Sequence, residues 1–277
     1  SLSIISLVGI VLNVIYCLVA IFLIVTVHKT QLHKNCKFLL TIWGLGYLVQ
    51  FCSHVAMLSL NCILGLPRTK SDPQLLSYFI DVSVGTQLFS EIVEILIATE
   101  RILSAVRPAQ YYMMGLRGGI LSMITVAMLA AAFGQGWITE ENFNFERFID
   151  SLWNTAPFQV NYVAVSYCGS RYAALHGKAT LNARYQIKEA HEIAVTMQRA
   201  YIVTFLFKNL FNGQVLLSCY EMDSAYHCVP LLFPLHYSIV EMIYVIGVPG
   251  ASAFLLVSLM SNHPRLRRKS EALLSKI

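Results

Sequence analysis

Residues Ile4 to Val27 form an unbroken stretch without one charged side chain. About 20 mostly apolar residues in a helix span the hydrocarbon core of a bilayer, and a helix satisfies all its backbone polar groups internally. The rest of the chain keeps to the same economy of charge. Of 277 residues, 56% are hydrophobic and only 13% charged, and the mean hydropathy is +0.60. Soluble domains carry about 25% charged residues, so half that fraction leaves too little polar surface to cover a body of this size. Lipid is the expected solvent, and a soluble protein with a very large core is the alternative.

Six further apolar runs follow, at Phe38–Leu60, Leu75–Val106, Gly118–Ile138, Ser151–Ser170, Ala200–Tyr220 and Leu231–Met260. The fifth is the most polar at its centre, with Pro157, Gln159 and Asn161. The expected fold is an all-α membrane protein, a single bundle of seven spans over residues 1–277. Lysine and arginine in short loops set orientation. Sixteen of the twenty fall before the second span, around the foot of the third, between the fifth and sixth, and in the tail. Three (Arg68, Lys70 and Arg147) fall on the other side, and Lys208 lies within a span. The N-terminus is therefore expected outside and the C-terminus in the cytoplasm. The net charge of +5 follows from that orientation and calls for no nucleic acid. The opening residues lack a basic segment and a small-residue cleavage site, so no cleavable signal peptide is expected.

Between the fifth and sixth spans, Leu181, Tyr185, Ala190, Ile193 and Met197 recur at roughly helical spacing among Arg184, Lys188, Glu189 and Glu192. Helices five and six are expected to project beyond the bilayer there. In the tail, Arg265, Arg267, Arg268 and Lys269 form a basic cluster. Anionic inner-leaflet lipid attracts such a cluster by about 1 kcal/mol per basic residue.

Charges within spans are expensive and normally face the bundle interior with a partner. Glu91 and Glu94 share one face of the third span, and Lys208 and Glu241 fall at similar depth on the sixth and seventh. These four are expected to form a polar lock across helices. It is either a switch that rearranges on activation or a static ion pair that fixes register. The same layer would serve as an ion or proton path if the chain were a transporter or ligand-gated channel. A small-molecule pocket is expected in the outer third of the bundle, with Ser83, Val84 and Gln87 on the third span, Gln214 on the sixth, and His236 and Tyr237 on the seventh.

No enzyme pattern emerges. His191-Glu192 has no second histidine four residues on, and His54 and His236 have no companion ligand nearby in sequence. The seven cysteines show no CxxC pair, so no metal site or cofactor is expected. Cys219 and Cys228 bracket a short outer loop and either close it as a disulfide or remain free thiols.

The third span ends in Glu100-Arg101, followed by Ala105-Val106, Pro108 and Tyr111. An acid-Arg pair with these offsets resembles the foot of the third helix of G-protein-coupled receptors. Three further segments narrow the likeness: His33-Lys34-Asn35, Leu181-Asn182-Ala183-Arg184-Tyr185-Gln186-Ile187-Lys188-Glu189, and His263-Pro264-Arg265-Leu266-Arg267-Arg268. Together they are most similar to nematode serpentine receptor class epsilon, with the alpha and alpha-beta classes as rivals. The resemblance implies a chemosensory receptor in the plasma membrane of sensory-neuron cilia, binding a small-molecule odorant or pheromone and signalling through a heterotrimeric G protein. It implies that Glu100 and Arg101, with Pro108 and Tyr111, form the activation foot. Arg184, Tyr185, Gln186 and Glu189 would lie at the coupling face. The sequence departs from the wider receptor pattern in three ways. Asn-Pro-x-x-Tyr is absent around Pro249, no cysteine lies between Trp137 and Trp153, and no Asn-x-Ser/Thr sequon occurs; within the nematode-type segment, Ala190 follows Glu189 where Asn is expected.

Overall fold

The computed structural model describes residues 2–64, 73–111, 143–175, 180–225 and 246–276. These residues are all-helical, with no strand among them. In chain order the helices are α1 (Leu2–Lys29), α2 (Lys34–Leu64), α3 (Pro73–Val106), α4 (Pro108–Tyr111), α5 (Phe143–Leu175), α6 (Leu181–Ala225), α7 (Val248–Asn262) and α8 (Pro264–Leu274). The expected fourth span, 118–138, lies outside the described residues, as does 231–245 of the seventh.

Local chemistry explains where the helices break. Pro108 disfavours helical backbone at the residue before it, and α3 gives way at Arg107 to the single turn of α4. Pro264 acts in the same way at α8. There His263 is extended and becomes the N-cap, its Nδ1 accepting from the Leu266 N–H at 3.4 Å. Pro157, inside α5, does not end that helix. The 45 residues of α6 amount to about 67 Å of helix, over twice the roughly 30 Å hydrocarbon thickness. Its first five turns are continuous with the expected sixth span, and α5 likewise runs past Ser170 to Leu175. One detail of the expected pattern is corrected: Leu181 and Tyr185 are exposed, whereas Ala183, Gln186, Ile187, Ala190, Ile193, Ala194 and Met197 are buried. The buried stripe of α6 carries Gln186 and Glu189 among its apolar residues, and counting apolar residues alone placed it too far round the helix.

The helices close a ring in which α1 packs on α2, α2 on α3, α3 on α5, α5 on α6, α6 on α7, and α7 back on α1. α3 also crosses to α6, α4 sits against α3 and α6, and α8 lies beneath α7 and α1. One buried cluster joins α1 (Leu23, Val27), α2 (Leu39, Leu40, Trp43, Tyr47, Phe51), α3 (Ile97), α6 (Ile193, Met197, Tyr201), α7 (Leu256, Leu259) and α8 (Leu266). At the α2–α3 crossing a Cβ on Gly46 would stand 2.8 Å from Ser90 Oγ, so glycine is what permits that approach. The outward face of α1 is apolar. On α1, Ile4, Leu7, Val11, Val14, Leu18, Ile21 and Val25 are exposed at three- and four-residue spacing, an unbroken stripe down one side of the helix. α1 and α2 are long and apolar enough to cross a membrane, at Ser6–Lys29 and Lys34–Leu60.

Candidate functional site

A cluster of charged and polar side chains gathers where α3 ends. Glu100 and Arg101 are buried to 3% and 1% exposure, although neighbours on a helix point some 100° apart. Both are accommodated because polar groups from five other segments close around them. Glu100 pairs with the Arg101 guanidinium and accepts from the Tyr111 hydroxyl. Tyr111 is carried by α4, so the break at Arg107 is what folds it back onto the foot of α3. Its hydroxyl also accepts from Asn35 Nδ2 at 3.1 Å, and its ring lies 4.6 Å from that of His33.

A second carboxylate enters from α6. Glu189, fully buried, places Oε1 3.9 Å from Arg101 Nη1 and accepts at that atom from the His33 backbone N–H at 3.0 Å. Its Oε2 accepts from Arg265 Nη1, on α8, at 2.6 Å. Arg265 in turn donates to the Gln31 carbonyl at 3.3 Å and stacks over the Tyr185 ring, Cζ to centroid 4.2 Å. Two arginines and two carboxylates thus meet with their charges balanced, Arg101, Glu100 and Glu189 buried and Arg265 a quarter exposed at the edge. Around them α5 supplies Cys168, whose Sγ lies 3.5 Å from the Arg101 carbonyl, and Arg171, which reaches the Ala105 and Val106 carbonyls. Burial raises the Tyr185 hydroxyl above its ordinary range, and Glu189 adds to that. The His263 imidazole is pushed down to about 4 by burial, with Arg265 and Arg101 adding to the effect and Glu189 opposing it.

Of the residues singled out in the sequence, Glu100, Arg101, Tyr111, Tyr185 and Glu189 meet in this cluster. Gln186 is buried on the same stripe of α6, Arg184 is exposed beside it, and Pro108 is half-buried at the start of α4. The pairing of Glu189 with Arg265 was not anticipated. Both lie in segments noted for their resemblance, but nothing in their spacing shows that 76 residues apart they face one another.

The mid-bundle layer is organised differently. Glu94 accepts from Trp43 Nε1 at 3.1 Å and from the Tyr47 hydroxyl at 2.7 Å, both on α2. Gln87 donates to Glu91 at 3.4 Å. Glu241, His236, Tyr237 and Cys228 lie outside the described residues. Ser83 and Val84 on α3, and Lys208, Gln214 and Cys219 on α6, are placed by their backbone alone. Cys17, Cys36, Cys52 and Cys168 are free thiols.

Compared with known proteins, the chain matches no family model and no curated protein.

Proposed function

We propose that the chain is a seven-helix membrane receptor of the serpentine chemoreceptor kind, N-terminus outside and C-terminus in the cytoplasm. It binds a small odorant or pheromone in its outer half and activates a heterotrimeric G protein at its inner face. The observation that carries this reading is the buried charge cluster at the foot of α3. It joins the acid-Arg pair to the inner end of α6, on the side where the basic residues of the sequence collect. An arrangement with two discrete pairings is what a ligand needs in order to shift a population between states. Here Arg101 either keeps company with Glu100 and Glu189, or loses Glu189 as α6 moves away and opens a groove for a partner helix.

Two further observations support a bilayer setting. The exposed stripe of α1 is continuous and wholly apolar, and contiguous patches beyond a few hundred Å² are rare on soluble monomers. The buried charges at the foot of α3 also find their partners inside the protein. The plasma membrane follows from the receptor reading, and sensory-neuron cilia from the sequence resemblance. The transporter or channel alternative would run its path through the mid-bundle layer of Glu91, Glu94, Lys208 and Glu241.

The test is nucleotide exchange by heterotrimeric G proteins in membranes containing the chain, against a panel of odorants, with Arg101→Ala alongside. The expected outcome is ligand-stimulated exchange that disappears in the variant while the amount in the membrane is unchanged. Ion or proton flux through reconstituted vesicles, with no exchange by any G protein, would replace this reading with the transporter one.

A further inference from the structure

The inner end of α6 is held from the α1 and α8 side more closely than from the foot of α3. Arg265 Nη1 reaches Glu189 Oε2 at 2.6 Å, whereas Arg101 Nη1 stands 3.9 Å from Oε1. One turn earlier on α6, the Tyr185 hydroxyl donates to the Gln31 carbonyl at 3.5 Å, the same carbonyl that accepts from Arg265 at 3.3 Å. Arg265 therefore grips α6 at two places, carboxylate and ring, and the first inner loop at a third. Its own position is fixed. It is the second residue of α8, one after Pro264, on a helix capped by His263 and pinned to the core by the fully buried Leu266. A planar guanidinium suits such a place because it can bond and stack at once.

We infer that Arg265 is the latch of the closed arrangement. It is a positioning residue on the tail helix that holds Glu189, and with it the inner turns of α6, against residues 31–33. α6 then leaves the foot of α3 only when its contacts with the start of α8 are broken, and regulation of the coupling face runs through the tail as well as through Arg101. Arg101 alone, at its longer distance, would let α6 go more easily. This rests on the receptor reading of that face, and the test separates the two.

Amide hydrogen exchange is measured on the purified full chain in lipid nanodiscs with no G protein present, following residues 181–190. Arg265→Gln is expected to speed exchange there by about tenfold, within the usual range of coupling between sites. The exposed Arg268→Gln should leave it as in the wild type. In a Glu189→Gln background, Arg265→Gln should add little, since the partner is already gone. Arg265→Lys keeps the charge but not the stacking plane. It should give intermediate protection, and it serves as the test variant if the glutamine variant does not fold. The latch is overturned if both Arg265 variants protect residues 181–190 as well as the wild type does, or if Arg265→Gln acts equally with and without Glu189. Faster exchange without any nucleotide response from G proteins would keep the latch and discard the coupling reading.

Discussion

Glu94 and Glu189 are both buried carboxylates on long helices, at 2% and 0% exposure, and the protein treats them in opposite ways. Glu94 is answered by neutral donors, Trp43 and Tyr47, one turn apart on a single helix that packs against its own. Glu189 is answered by Arg265 and, at longer range, by Arg101, with a backbone N–H from the loop before α2. The Trp43 and Tyr47 bonds staple α3 to α2. The Glu189 arrangement draws in α3, α6, α8 and the loop before α2, and it has alternatives, because Arg101 retains Glu100 if Glu189 leaves. Hydrogen bonds from one neighbouring helix brace a pair of helices, and a buried group shared between several elements is where a bundle can change state.

If that contrast holds, substitutions at the two carboxylates should differ in kind. Glu94→Ala strands two buried donors, at about 1–3 kcal/mol each. It should lower thermal stability by roughly 3 kcal/mol or more in all, read as loss of folded protein on heating in detergent. Glu94→Gln keeps an acceptor oxygen and should cost much less. Equal stability of the Glu94→Ala variant and the wild type would remove the brace.

A smaller effect concerns protons. His263 carries a pKa near 4 against about 6.5 unfolded. Its Nε2 is buried with no hydrogen-bond partner among the described residues, and Arg265, Arg101 and Glu189 surround it. Below pH 6.5 the unfolded chain therefore takes up a proton that the folded chain refuses. Stability should fall as the pH drops from about 6.5 towards 4, by about 2 kcal/mol at pH 5 relative to pH 7.5. His263→Asn keeps a capping oxygen for α8 and should flatten that slope. A slope unchanged in the variant would assign the titration elsewhere.

Much of the fold was legible because periodicity and charge are local quantities. The apolar runs anticipated α1, α2 and α3 to within a few residues, and the helical spacing after Leu181 anticipated that α6 begins well before its apolar part. The site was legible in pieces. Glu100-Arg101 and Tyr111 stand close enough in sequence for the proline between them to suggest their meeting. Arg265 and Glu189 do not, and no rule of spacing joins a tail helix to the middle of α6. The reading of the buried charges put the lock at mid-bundle, where Glu91 and Glu94 stand near Lys208 in depth, because ionisable residues inside apolar runs attract attention first. The side chain of Lys208 and the whole of Glu241, which would complete that lock, lie outside the described residues. The buried ion pairs of the described side chains lie at the basic end, where the sequence makes charges look solvated. The apolar stripe of α6 was misplaced for the same reason: Gln186 and Glu189 count as polar in any pattern, yet the fold buries both.

The most direct measurement is basal nucleotide exchange by heterotrimeric G proteins, with Glu189→Gln and wild type compared at equal amounts in nanodiscs and without ligand. Neutralising Glu189 takes the shared counter-charge from Arg265 and Arg101, and the account predicts that basal exchange rises several-fold. Exchange equal to or below that of the wild type, with α6 still protected, would contradict it.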